Sequence, residues 1–264
     1  MLVIGERINS TRKAIRKAIL DRDADCIRKE ARRQVEAGSG YIDANAGIEP
    51  EREPDDLVWL TETIQSAVDC PVSLDTASPD AMKAALAVHQ GTPMINSITG
   101  EEGRHEAVLP LADEYDARLV ALTMGRAGMP RTVEDRMEAA REVADLISGQ
   151  GIGLDRVYFD PVLCSVATES EAGQIALETV SRLRDEFPDA HITCGLSNIS
   201  FGLPQRNVLN RNALAMLMAA GLDSAIIDPT EPHMMSAVRA GEALLGRDDF
   251  CMNYITAARG GELD

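Results

Sequence analysis

Aromatic side chains make up only 3% of the 264 residues, with a single tryptophan. The core must therefore be assembled from Ala, Leu, Ile, Val and Met, a composition suited to helices packed on a parallel sheet. Basic residues are scarce against acidic ones, 26 against 43, and the formal net charge is −17. Such a surface repels nucleic acid and anionic membrane, so neither is expected as a partner. Eighteen apolar residues nowhere run together, and the opening MLVIGERINS has no basic n-region and no long apolar stretch. A soluble, cytoplasmic chain is expected. The five cysteines (Cys26, Cys70, Cys164, Cys194, Cys251) are odd in number, widely spaced and without a CxxC pair, which argues for reduced thiols and against a zinc site. A GxGxxG fingerprint after the first strand and a GxSxG elbow are both missing, removing the main support for dinucleotide binding and for a serine hydrolase.

What is present is a regular alternation of short apolar runs with stretches of helical period, maintained from end to end. Strands are predicted at 2–8, 41–46, 72–76, 94–99, 118–124, 157–163, 191–198 and 224–229. Helical segments lie between them, several opening on Ser, Thr, Asp or Asn, and SPDAM and EPDDL place proline in the first turn. Strand ends from Asp43 to Asp228 recur about every 31 residues, the size of a βα unit. No linker or change of composition interrupts the series. The expectation is one α/β domain over residues 1–264, a (β/α)8 TIM barrel, with an open doubly wound sheet as the competing architecture.

Active sites of such barrels lie at the C-terminal ends of the strands, where the sequence puts Asp43, Asn45, Asp75, Asn96, Asp160, Asn198 and Asp228. Any one of these could simply cap the following helix. Six such strand ends together point to a ligand. None of the four histidines (His89, His105, His191, His233) falls at the C-terminal end of a strand, His191 opening one at the opposite rim, and the four lysines (Lys13, Lys17, Lys29, Lys83) all fall in predicted helices or loops. A Schiff-base aldolase is thereby set aside, while an all-carboxylate magnesium site from Asp43, Asp75, Asp160 and Asp228 stays open. A mouth of carboxylates and amides with few cations suits a neutral, flat, donor-rich heterocycle, whose amidine-like edge can give one carboxylate two parallel hydrogen bonds.

The segments GERIN (5–9), IDANAG (42–47), LDT (74–76), MINSIT (94–99), LTMGRAGMP (122–130), YFDPVL (158–163), GLSNISFGLPQR (195–206) and LNRNALAMLMAAGLDSAIID (209–228) resemble, in order, those of the pterin-binding barrels. The likeness is strongest to the methyltetrahydrofolate:corrinoid-protein methyltransferases. It implies a homodimeric barrel that moves the N5 methyl group of methyltetrahydrofolate to or from cobalt(I) of a corrinoid (cobalamin) carried by a partner protein. Tetrahydrofolate is then a substrate, and the chain binds no metal of its own. By the same resemblance Asp75, Asn96 and Asp160 grip the pterin ring, Asn198 lies near N5 as the catalytic group, and Gly195 and Ser197 frame its loop. Glu6 would face the arriving corrinoid and Arg206 the folate tail, with Asp43, Asn45, Met124 and Asp228 as further residues of the mouth.

A dihydropteroate synthase-like enzyme would be expected to show a lysine late in the chain and a Ser-x-Arg site on the last strand; the sequence has no lysine after Lys83 and reads SAIIDPT there. A non-catalytic folate-binding protein is the remaining alternative, against which Asn198 and Glu6 count. Phe201 and Leu203 depart from the polar side chains usual in the family, so contacts to the benzoyl-glutamate tail, and the identity of the corrinoid partner, are not fixed by the resemblance. AMLMAA (215–220) reads as core on a helix, with a dimer face as the second reading.

Overall fold

The structure is a computed structural model and describes residues 1–126 and 128–263. Its eight strands are β1 (Leu2–Asn9), β2 (Tyr41–Asn45), β3 (Val72–Asp75), β4 (Met94–Ile98), β5 (Arg118–Leu122), β6 (Val157–Asp160), β7 (His191–Ile192) and β8 (Ser224–Ile227). The helices are α1 (Lys13–Asp21), α2 (Ala24–Glu36), α3 (Glu53–Gln65), α4 (Pro79–Val88), α5 (Arg104–Glu114), α6 (Val133–Gly149), α7 (Ala172–Glu186), α8 (Arg206–Ala220), α9 (Met234–Leu244) and α10 (Met252–Gly260). All strand pairings are parallel, in the order β7-β6-β5-β4-β3-β2-β1-β8. The seam is closed by a parallel bridge between Gly195 and Ile226 and by the Ile226 N–H donating to Cys194 O at 2.9 Å. The expected barrel is therefore present.

Period-two alternation sorts the strand residues into two cores. Val3, Ile42, Leu74, Ile95, Leu119 and Phe159 belong to the large cluster that also holds the helix residues Ile27, Leu57, Met82 and Val143. Ile4, Tyr41, Met94, Val120, Tyr158 and Ile226, one from each of six strands, form a separate buried cluster that fills the barrel. Two residues further along, most of these inward positions become polar, with Asp43 paired to Ser73 and Asp75 to Asn96, while on β5 the apolar Leu122 lies opposite Asp160 of β6. Local chemistry sets the helix starts. Ser78 accepts from Ala81 N–H with Pro79 in the first turn of α4, and Thr132 with Asp135 forms a capping box at α6.

Most strands end a residue or two before the expected position, and two stop well short of it. The expected 157–163 ends at Asp160, because Pro161 offers no N–H to the ladder and the Val162 N–H turns back to Asp160 Oδ1 at 2.8 Å. The expected 191–198 ends at Ile192, and Leu196–Ser200 wind into a 3-10 turn. On β1 the register with β2 shifts between Gly5 and Ile8. The Arg7 N–H leaves the ladder for Gln34 Oε1 at 3.0 Å, and a Cβ at Gly5 would stand 2.4 Å from that same oxygen, so a side chain there would have to displace the buried Gln34 amide. The AMLMAA segment divides: Met218 is fully buried, whereas Met216 is 55% exposed.

Candidate active site

A cavity of about 620 Å³ opens at the C-terminal ends of the strands, and its wall contains Glu6, Asp43, Asp75, Asn96, Asp160, Gly195, Ser197, Asn198 and Arg206. Nine of the twelve residues expected in the mouth are thus gathered in one place. Asn45 stands behind them, donating to Asp75 Oδ2 at 3.1 Å while its own oxygen accepts from Ser10 Oγ at 2.7 Å. Asp228 lines a smaller adjoining cavity of about 230 Å³, which shares Glu6, Arg12, Ser197 and Arg206 with the first. Met124 lies in the loop after β5, where its carbonyl accepts from Gly100 N–H at 2.9 Å, and it is not part of the cavity wall. Sequence reasoning missed Asn9, Thr11, Arg12, Ser97, Leu122 and Ile226, which also line the cavity. Leu122 and Ile226 sit at inward strand positions and could have been found by counting in twos; Arg12, in the loop after β1, carried no periodic signal.

The acids of the wall are buried with little charge compensation. Asp43 is 3% exposed and Asp160 8% exposed. Burial, and then the neighbouring Asp75 carboxylate, push Asp43 up to about 8, against hydrogen bonds from Asn96 and Ser73. Both of those donors sit on Oδ1, at 3.0 and 2.8 Å, leaving Oδ2 for a proton. Burial raises Asp75 to about 6, opposed by Asn45 and by the charge of Arg104. The two carboxyls titrate as a pair, with Asp43 the one that keeps its proton longer. Burial also raises Asp160 to about 6, against the backbone N–H groups of Val162 and Gly195 and the charge of Arg136. Glu6 is raised as well, by burial, although Ser197 Oγ straddles its two oxygens at 2.9 and 3.0 Å and Arg12 lies 3.5 Å away.

Asp228 is prepared differently. Burial opposes its ionisation, but hydrogen bonds from Thr230 and Arg7 outweigh that and hold it below the usual carboxylate range. Its Oδ2 receives Arg7 Nη1 at 2.6 Å, and Arg7 also pairs with Glu30. This role is that of an anchor between β1 and β8. Asn198, by contrast, is exposed in the 3-10 turn with its amide nitrogen 3.2 Å from where a Cβ on Gly195 would stand. Glycine at 195 keeps that approach open. Arg206 donates to Ser197 O at 2.5 Å and to Ser200 Oγ at 3.1 Å, which ties the first turn of α8 to the turn carrying Asn198.

At neutral pH the cavity therefore offers Asp75 and Asp160 largely as acceptors, Asp43 as a protonated carboxyl, and amides at Asn96 and Asn198. Leu122 and Ile226 supply apolar surface between them. The arrangement can hold a flat ring by its edge hydrogen bonds. No cluster of three or more His, Cys, Asp or Glu placed to hold a metal ion occurs among the described residues. No helix among them is long and apolar enough to cross a membrane.

Comparison with known proteins bears on the family and the fold. The sequence profile described as pterin binding enzyme matches residues 5–228. The methylcorrinoid:tetrahydrofolate methyltransferase of Eubacterium limosum is 38% identical over 265 residues, spanning 100% of this chain and 98% of that protein. The methionine synthase of Mycobacterium tuberculosis is 31% identical over 251 residues, which cover 90% of this chain but only 21% of that much longer protein. Among solved structures, a dihydropteroate synthase from Clostridium difficile superposes with a TM-score of 0.75 at 15% identity, covering 92% of this chain and 96% of that one. A second, from Vibrio fischeri, gives a TM-score of 0.72 at 20% identity, covering 93% of each chain; at these identities the likeness is one of fold. With the profile matched across most of the barrel and a full-length relative at 38% identity, the chain belongs to the family of pterin-binding enzymes.

Proposed function

We propose that this barrel, acting as a single domain over residues 1–264, transfers a methyl group between a corrinoid and N5 of tetrahydrofolate. The full-length likeness to a methylcorrinoid:tetrahydrofolate methyltransferase supports the reaction class and favours the direction from corrinoid to folate. The observation that carries the reading is the convergence of Asp75, Asn96, Asp160 and Asn198 on one cavity in which the carboxylates are buried yet lack a direct cationic partner. An anionic ring would be repelled by these carboxylates; a neutral pterin edge, rich in N–H donors, gives them the hydrogen bonds they lack.

In the forward direction the N5 lone pair attacks the methyl carbon, the Co–C bond breaks with its electron pair left on cobalt as cobalt(I), and N5 must then release its proton. The reverse step needs that proton returned before the C–N bond breaks, because a neutral tertiary amine is a poor leaving group. An amide cannot serve as the acid. Asn198 instead accepts a hydrogen bond from N5–H through its oxygen and favours the protonated amine over the neutral one, a stabilisation that grows as the charge does. Asp43, raised to about 8, is the carboxyl whose ionisation falls nearest working pH, and it serves as the proton reservoir of the cavity. Cobalt supplies the nucleophile or the methyl group, so the chain's own tasks are to orient the ring, hold the proton and leave the mouth open.

The corrinoid reaches the site on a separate protein that docks at the mouth, where Glu6, Arg12 and Arg206 form the rim. A homodimer and a cytoplasmic location complete the proposal. The test is spectroscopic: purified protein, methylcob(III)alamin and tetrahydrofolate, with formation of cob(I)alamin followed under anaerobic conditions. Enzyme-dependent conversion is expected. Its absence, together with absence of transfer from methyltetrahydrofolate to cob(I)alamin, would refute the methyltransferase reading and leave a folate-binding protein.

A further inference from the structure

Two arginines outside the cavity wall are spent in an unusual way. Arg136, in the first turns of α6, is only 2% exposed, and among the described residues no carboxylate pairs with it at ion-pair distance. Its guanidinium donates from Nε to Pro161 O at 2.8 Å, from Nη2 to Val162 O at 3.2 Å and from Nη1 to Thr132 O at 3.0 Å. Arg104, the first residue of α5, donates to Ser97 O from Nη2 at 2.8 Å and from Nε at 3.1 Å, to Thr76 O at 3.2 Å and to Ala77 O at 3.0 Å. Every one of these acceptors except Thr132 lies one or two residues past Asp75, Asn96 or Asp160.

We infer that Arg104 and Arg136 are positioning residues for the ring-gripping groups: each guanidinium locks the backbone that leaves a strand end, and each serves as the remote counter-charge that keeps the buried carboxylate ahead of it ionised. This rests on the reading of the cavity as a pterin site. The fork of an arginine can hold several carbonyls at once, which a single ammonium cannot reproduce. The need for such a lock is visible at Val162, a β-branched residue held at φ 55°. That conformation persists only when its surroundings over-determine it, here through Asp160 on its N–H and Arg136 on its carbonyl.

The groups facing the two carboxylates are few. Asp75 faces Asn45, Arg104, Glu53 and Asp43; Asp160 faces the N–H groups of Val162 and Gly195, Arg136 and the thiol of Cys194. In each set the arginine is the only cation. Removing it leaves burial unopposed by charge, and the carboxylate needs a higher pH to ionise.

The experiment measures tetrahydrofolate binding at equilibrium from pH 5 to pH 8 in wild type, Arg136→Lys, Arg136→Met, Arg104→Lys and Arg104→Met, with thermal unfolding of each. Wild-type affinity should fall on the acid side as the carboxylates protonate. Both methionine variants should bind roughly tenfold or more weakly at pH 7 and show the acid limb moved upward by roughly half a unit or more. Both lysine variants, which keep the charge and lose the fork, should weaken binding with the acid limb left in place. Arg104 is only half-buried, so its variants keep the test open if Arg136→Met fails to fold. Folded variants with wild-type affinity and an unmoved limb would overturn the inference. Absence of tetrahydrofolate binding by wild type would instead refute the pterin reading itself.

Discussion

The two ends of the barrel hold the same kinds of residue in opposite states. At the C-terminal mouth Asp43, Asp75 and Asp160 are buried and raised, short of cations, around about 620 Å³ of space. At the N-terminal end a larger cavity of about 830 Å³ is lined by Tyr41, Cys70, Gln90 and Arg118. There the polar groups satisfy one another: Arg118 donates to the Tyr158 hydroxyl at 3.0 Å and lies 5.5 Å from the centre of the Tyr41 ring. Tyr158 stacks on His191, whose Nδ1–H donates to Asp223 at 2.9 Å. Burial opposes ionisation of Asp223 too, but His191, the Ile192 N–H and Arg184 hold it below the usual range. Size alone would have chosen the wrong cavity. Groups left uncompensated at the mouth are ready for a ligand, whereas those at the base are already consumed in holding β7, α7 and β8 together.

The contrast can be broken most forcefully at the mouth. Asn198→Ala is expected to lower methyl transfer by about 10² or more with little change in the thermal midpoint, since the residue is exposed; wild-type turnover in that variant would remove Asn198 from the chemistry. At the base, Asp223→Asn should do the reverse, costing about 1–3 kcal/mol of stability at pH 7 in urea unfolding while turnover per folded molecule is retained. Because the folded pKa of Asp223 is depressed, its contribution is present above the unfolded value of about 3.9 and is lost as pH falls through the folded one. Variant and wild type should therefore converge in acid.

An effect of opposite sign is expected at Asp43. Its folded pKa of about 8 means that the native state keeps a proton that the unfolded chain releases near 4, so this group reduces stability progressively as pH rises between those values. Asp43→Asn should then be more stable than wild type at pH 8 in urea unfolding, with the advantage shrinking as pH falls and vanishing below about pH 4. Equal midpoints across that range would show that Asp43 is not held protonated.

Much of this was legible in the sequence because it depends on local period. Eight apolar runs, six of them closing on Asp or Asn about 31 residues apart, pointed to the barrel and most of the mouth. The features that escaped depend on distant partners. The end of β7 at Ile192 and the turn at Leu196–Ser200 that presents Asn198 follow from closure against β8. The shift in β1 is held by Gln34, 27 residues beyond the N–H it accepts from. Arg136 meets Pro161 across 25 residues, and nothing in the spacing of either segment announces the pairing. The division of Met216 from Met218 is likewise a matter of which face α8 turns inward.

The most direct test of the mouth as a pterin site is titration calorimetry of tetrahydrofolate binding at pH 7.5 by wild type and Asp160→Asn, with the thermal midpoint of each measured alongside. Binding by wild type and a loss of about 1–3 kcal/mol in the variant, at a comparable midpoint, is the expected result. Equal affinity in the two proteins, or no binding in either, would contradict the placement of the ring at Asp160.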